Sequence, residues 1–180
     1  MLYFHKELKK IYKYDYNIQK EVGKKNLYKL DIGLYSDKEF VNPLEVIAKK
    51  YPNAILTDDS AFYYYDLTDV VPDYYYLATS RTDTRINNDN VKQVFISNEL
   101  FSIGIDKINI ENVEINIYNK ERMLVELIRK RNKIPFDYYK EIINNYRKIT
   151  DKLDIYKISE YISYYRNEHT LYDILQREVF

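Results

Sequence analysis

The chain has 180 residues, no cysteine, and 28 basic side chains against 28 acidic ones. That length suits one compact domain, or one with a small appendage, that buries a core without covalent staples. Disulfides, thiolate metal sites and cysteine nucleophiles are excluded, and a zero net charge offers no overall field to attract polyanions. No apolar run reaches the length of a membrane span and the start carries no signal-peptide pattern, so a soluble cytoplasmic protein is expected.

The charge is unevenly spread. Residues 1–30 carry eight lysines against three acids, residues 31–116 seven basic against fifteen acidic side chains, and residues 117–180 thirteen against ten. Phosphate contact needs local positive charge, so the first thirty residues are the place for nucleic acid if any binds.

In chain order, Phe4, Leu8, Ile11 and Tyr12 recur at helical spacing and form one apolar stripe. A second short helix fits Tyr16 to Lys24, with Ile18 and Val22 inward and Tyr16, Lys20 and Lys24 pointing the other way. "NLYKLDIGLYSD" reads as two short strands turning at Asp31-Ile32-Gly33. Helix, helix and small hairpin is the order of a winged helix-turn-helix, with no room for that module's first helix ahead of Phe4.

Asn42 then caps a helix with Pro43 at its first position, and Pro52 closes the segment. "AIL" is a short strand. Thr57, Asp58 and Asp59 supply caps and negative charge at the start of a helix over "TDDSAFYYYDLTD". "YYYLAT", "VKQVFIS" and a hairpin "INIENVEINIY", turning at Glu111-Asn112, complete a sheet. From Asn119 the period becomes helical. The stripes are Met123, Leu124, Leu127 and Ile128; then Phe136, Tyr139, Ile143 and Tyr146; then Ile155, Ile158, Ile162 and Tyr165; then Leu171, Ile174 and Leu175. Helices in succession with short loops imply a helical layer. The class is α+β: a partial winged helix-turn-helix over residues 1–41, then a mixed β-sheet with packed helices over 42–180, its helical layer occupying 120–180.

Catalytic chemistry finds little footing. His5 and His169 lie near opposite ends, without a pattern suggesting a triad or metal site. Gly23, Gly33 and Gly104 are isolated, so no loop cradles phosphate. The Asp58-Asp59 pair sits where a helix cap belongs. No catalytic residue, cofactor or metal is expected. The tyrosine runs 63–65 and 74–76 cannot each share one face, so core packing with one or two rings at the surface is expected rather than a base-stacking platform. Arg122 stands out. With Asn119 as N-cap it falls on the third helical position, where a cation opposes the helix dipole. A carboxylate partner is expected, with Asp66 or Asp69 the candidates.

The stretches "AILTDDSAFYYYDLTDVVP" and "INIYNKERMLVELIRKRNK", with the strand and "FSIGI" between them, resemble the AbiEi family of antitoxins from abortive-infection, type IV toxin–antitoxin systems. The resemblance covers nearly the whole chain. It rests on Thr57, Ser60, Ala61, Leu67, Thr68, Asp69 and Pro72, then on Glu121, Arg122, Leu124, Leu127 and Ile128. Asn119, Met123 and Glu126 depart mildly from the family's usual Asp, Thr and Asp. The resemblance implies a non-catalytic antitoxin that counteracts a nucleotidyltransferase-type toxin without requiring a stable complex. Ser60, Asp69, Glu121 and Arg122 would carry antitoxin or structural roles. It also implies a winged helix-turn-helix that represses its own operon, with Tyr16, Asn17, Gln19, Lys20 and Lys24 on the helix that meets operator DNA. A second reading is a winged-helix transcriptional regulator whose C-terminal part serves dimerisation or sensing.

Overall fold

The computed structural model describes every residue except Asn112, so the expected turn at Glu111-Asn112 lies half outside the described residues. The chain separates into two compact units, Met1–Pro52 and Asn53–Phe180. The expected boundary after residue 41 is therefore displaced to Pro52, and the reason is visible in the helix that follows the hairpin.

The front unit runs β1 (Leu2–Phe4), α1 (His5–Tyr12), α2 (Asp15–Gly23), β2 (Tyr28–Asp31), β3 (Leu34–Ser36) and α3 (Pro43–Lys50). Strand β1 was not foreseen. It pairs antiparallel with β3, which also pairs with β2, in the order β1-β3-β2. Phe4 therefore ends a strand rather than opening the helical stripe, and Ile11 is 63 % exposed. The core is Leu8, Ile18, Leu27 and Tyr35, with Tyr3, Tyr12 and Val22 packed against it. Gly33 makes the hairpin turn at φ 72°, a conformation that costs glycine nothing. In α3, Asn42 Oδ1 accepts from the Leu44 N–H at 2.8 Å and Pro43 pre-sets the first turn. Lys49 Nζ reaches Glu7 at 3.1 Å, and Lys50 pairs with Asp31. Those two bridges tie α3 to α1 and β2, so it belongs to the front unit.

The second unit contains β4 (Ile55–Leu56), α4 (Asp58–Tyr64), β5 (Tyr75–Ser80), β6 (Val91–Ile96), α5 (Asn98–Phe101), β7 (Ile105–Ile110) and β8 (Val113–Tyr118). It continues through α6 (Lys120–Lys130), α7 (Phe136–Arg147), α8 (Ile155–Ser163) and α9 (Glu168–Glu178). Its sheet has the order β6-β5-β4-β8-β7. Strand β4 runs antiparallel to β5 and parallel to β8, so the sheet is mixed. The inner strands bury Ile55, Leu56, Leu77, Ala78 and Ile117 almost completely.

Helix α6 is the centre of this unit. Every residue from Arg122 to Ile128 is buried, and α4, α8 and α9 all contact it. A helix enclosed on all sides buries its polar residues along with its apolar ones. The outer helices keep one wet face. Tyr139, Ile143 and Tyr146 point inward as their spacing predicts, while Phe136 at the first position of α7 is 73 % exposed and Ile142 takes a core place instead. The chain is thus α+β throughout, with strands and helices largely segregated along the second unit.

Candidate functional site

On the front unit, α2 presents Tyr16, Gln19 and Lys20 to solvent, with Tyr16 75 % exposed. None of the three donates or accepts a described side-chain hydrogen bond or ion pair within the protein. Asn17 differs. It is half-buried, and its Nδ2 donates to the Tyr12 carbonyl at 3.0 Å, which closes the turn between α1 and α2. That turn needs a fixed partner because Lys13 is held at φ 61°. Lys24 lies just past α2 and pairs with Glu21 at 3.0 Å. The bond from Asn26 and then that from Lys24 hold the Glu21 carboxyl below its ordinary range. The five residues therefore divide into an open set of three and two that are engaged in local structure.

In the second unit, the four singled-out residues occupy separate places. Ser60 is fully buried in the first turn of α4. Its Oγ accepts from the Tyr76 N–H at 2.9 Å and donates to the Tyr74 carbonyl at 3.2 Å. One hydroxyl thus fastens α4 to the start of β5, where an alanine would leave two backbone groups unmet. Glu121 Oε1 accepts from the Asp154 N–H at 3.0 Å and holds the entry to α8. Asp69 has a surface carboxylate, and its backbone N–H donates to Glu141 Oε1 at 3.1 Å.

Arg122 is 1 % exposed. Its expected partners, Asp66 and Asp69, are not the ones it meets. Arg122 Nη2 lies 3.1 Å from Glu126 Oε1, one turn along the same helix. Spacing i, i+4 places both groups on one face, and burial of that face makes the pairing obligatory. Arg129 adds two bonds to Glu126 Oε2, at 3.1 Å from Nε and 2.7 Å from Nη2. Tyr165 O–H donates to Oε1 at 2.6 Å. The rings of Tyr118 and Tyr165 lie 5.4 and 6.0 Å from the Arg122 guanidinium carbon. Those π faces are what meets the rest of the guanidinium, since its Nε and Nη1 have no hydrogen-bond acceptor. Burial works against a charge on Glu126, but Arg129 and Arg122 outweigh it and hold the carboxyl below its usual range.

Asn119 orders the same region. Its backbone N–H donates to the Gly104 carbonyl at 2.8 Å, its Oδ1 accepts from the Arg122 N–H at 2.9 Å, and its Nδ2 donates to Tyr161 Oη at 3.0 Å. The capping role was legible in the sequence. The reach to Tyr161 was not, because it crosses 42 residues. Gly104 sits at φ 72°, and a Cβ there would stand 3.0 Å from Arg122 Cβ.

The Asp58-Asp59 pair is not an ordinary cap. Thr57 makes no side-chain cap bond, and its hydroxyl points to Met123 Sδ at 3.8 Å. Asp58 pairs with Lys130 at 2.5 Å. Asp59 is half-buried, and burial pushes its carboxyl up against the lowering effect of the Tyr76 and Tyr138 hydroxyls. Burial pushes the Tyr76 hydroxyl up to about 12, with Asp59 beside it adding to the shift. The tyrosine runs prove half-buried rather than core. Tyr74 is exposed, and Lys92 Nζ lies over the rings of Tyr74 and Tyr76 at 6.0 and 5.2 Å.

A cavity of about 510 Å³ opens where the end of α4 and the loop after it face β7. Among the described residues no group of three His, Asp or Glu side chains is placed to hold a metal ion, and no helix is long and apolar enough to cross a membrane. No family model matches the chain, and no curated protein matches it.

Proposed function

We propose that this protein is a non-catalytic regulator of the AbiEi antitoxin type. Its front unit binds operator DNA, and its second unit counteracts a nucleotidyltransferase-type toxin in the cytoplasm. The observation that carries the reading is the front unit's strand–helix–helix–hairpin order, with β1 paired to the last strand. That is the part of a winged helix-turn-helix that follows its first helix, and it leaves α2 with an open polar face. Tyr16, Gln19 and Lys20 on that face suit base-edge and phosphate contact. Eight lysines in the first thirty residues supply the charge that phosphate binding requires.

For the antitoxin half, the support is the resemblance together with where its residues fall. Ser60 and Glu121 each lock one element of the second unit to another, and Arg122 is buried in an ion pair within α6. Residues with that duty are the ones a shared fold would retain. Co-expression with the neighbouring toxin gene tests the reading. Relief of growth arrest is expected, and continued arrest with the protein soluble and folded refutes it.

The alternative is a transcriptional regulator whose second unit senses a ligand. The cavity beside α4 is the observation that favours it.

A further inference from the structure

The cavity is framed by Tyr63 and Tyr64 on α4, Asp66 and Asp69 on the loop that follows, and Ile108 and Ile110 on β7. Its volume of about 510 Å³ falls in the range of small-molecule sites, roughly 300–1,000 Å³. The two rings meet edge to face, with centroids 5.4 Å apart and planes at 67°. Both aspartates are exposed, and neither forms an ion pair among the described residues; Lys107 on β7 pairs with Glu114 instead. Asp66 is held at φ 57°, in the left-handed region. Two isoleucines, two tyrosines and two carboxylates without an ion pair line the same cavity. Tyrosine rings and carboxylates favour a cation, and isoleucine side chains take methylene groups.

We propose that this cavity binds an alkylammonium group: a protonated primary amine on a flexible aliphatic stem. The stem lies over Ile108 and Ile110, and the ammonium sits between Asp66 and Asp69 against the tyrosine rings. The same chemistry is carried by a free polyamine and by a lysine side chain of a partner protein. This inference goes beyond DNA binding and toxin neutralisation and stands if either of those fails.

The test is two-dimensional NMR titration of the full chain at low ionic strength, with spermidine as one probe and a lysine-containing peptide capped at both ends as the other. Saturable shifts confined to residues 63–71 and 108–110 are expected. Asp66→Asn with Asp69→Asn is expected to weaken binding at least about tenfold, as loss of charge-assisted partners does. Asparagine tolerates the left-handed backbone at position 66, so the double variant keeps its fold, which circular dichroism and Tm verify. Asp73→Asn, a surface acid outside the cavity, is expected to change nothing. Binding of spermidine alone identifies a free polyamine, and binding of the peptide identifies a partner's lysine. Absence of local shifts with both probes at millimolar concentration, or unchanged affinity in the double variant, overturns the proposal.

Discussion

Arg122 and Glu126 lie one turn apart on α6, both buried, with Nη2 and Oε1 3.1 Å apart. Removing Glu126 leaves the Arg122 guanidinium without a compensating charge in the interior, whereas Glu126 keeps its bonds from Arg129 if Arg122 is removed. Glu126→Met is therefore expected to cost roughly 3–5 kcal/mol, the usual penalty for breaking a buried pair. Adding Arg122→Met should recover much of that loss, because replacing both partners removes the orphaned charge. Urea denaturation of the two variants measures both numbers. A loss no larger than that of an exposed substitution would place the guanidinium in solvent.

Acid should act through the same carboxylate. Glu126 has a lowered folded-state pKa because its two arginines outweigh its burial. A carboxyl with a depressed folded value stabilises above its unfolded value, about 4.3, and loses that contribution as pH falls through the folded value. The wild type should therefore lose stability progressively below about pH 4.3. Glu126→Gln should start less stable at neutral pH and show a shallower acid slope. Thermal melts across that window read both.

Asp59 should behave in the opposite sense. Burial raises its folded-state pKa, so its protonated form adds stability at low pH that is lost as pH rises through the folded value. Asp59→Asn is expected to be neutral or stabilising at pH 7, with the advantage over wild type fading below about pH 4. Calorimetric Tm values at the two pH extremes would expose a wrong sign.

Two glycines share a φ of 72° but differ in surroundings. At Gly33 an added Cβ meets nothing within 4 Å, so Gly33→Ala should cost only the left-handed backbone penalty, about 1–2 kcal/mol. At Gly104 the Cβ would also press on Arg122 Cβ at 3.0 Å, adding roughly 1–3 kcal/mol of overpacking. Parallel denaturation of the two alanine variants separates the terms.

Helices and strands were mostly legible because their periods are long and their caps sit in plain view, as at Asn42 and Asn119. Strand β1 was hidden: three residues carry no period, and only the distant β3 makes them a strand. The partner of Arg122 lies on its own helix and not on the loop that carries Asp66 and Asp69. The run of apolar residues Met123, Leu124, Val125, Leu127 and Ile128 leaves the middle of α6 no wet face, and the i, i+4 spacing of Arg122 and Glu126 sets them beside each other there. The division after Pro52 rests on Lys49 and Lys50 reaching back to Glu7 and Asp31, pairings that sequence spacing does not encode. On α2, periodicity alone puts Tyr16, Lys20 and Lys24 outside. It could not show that Lys24 is paired with Glu21 or that Asn17 serves the turn.

Binding of the full chain to duplex DNA from upstream of its own gene, measured across a salt series, is the most direct test of the front unit's role. The wild type should bind with an affinity that falls steeply with salt. Lys20→Ala should weaken binding and reduce the log–log slope by about one, the loss of one phosphate contact. Gln19→Ala should weaken binding to that duplex more than to an unrelated one. No binding at low salt, or a slope that Lys20→Ala leaves unchanged, would contradict the assignment of α2 as the helix that meets DNA.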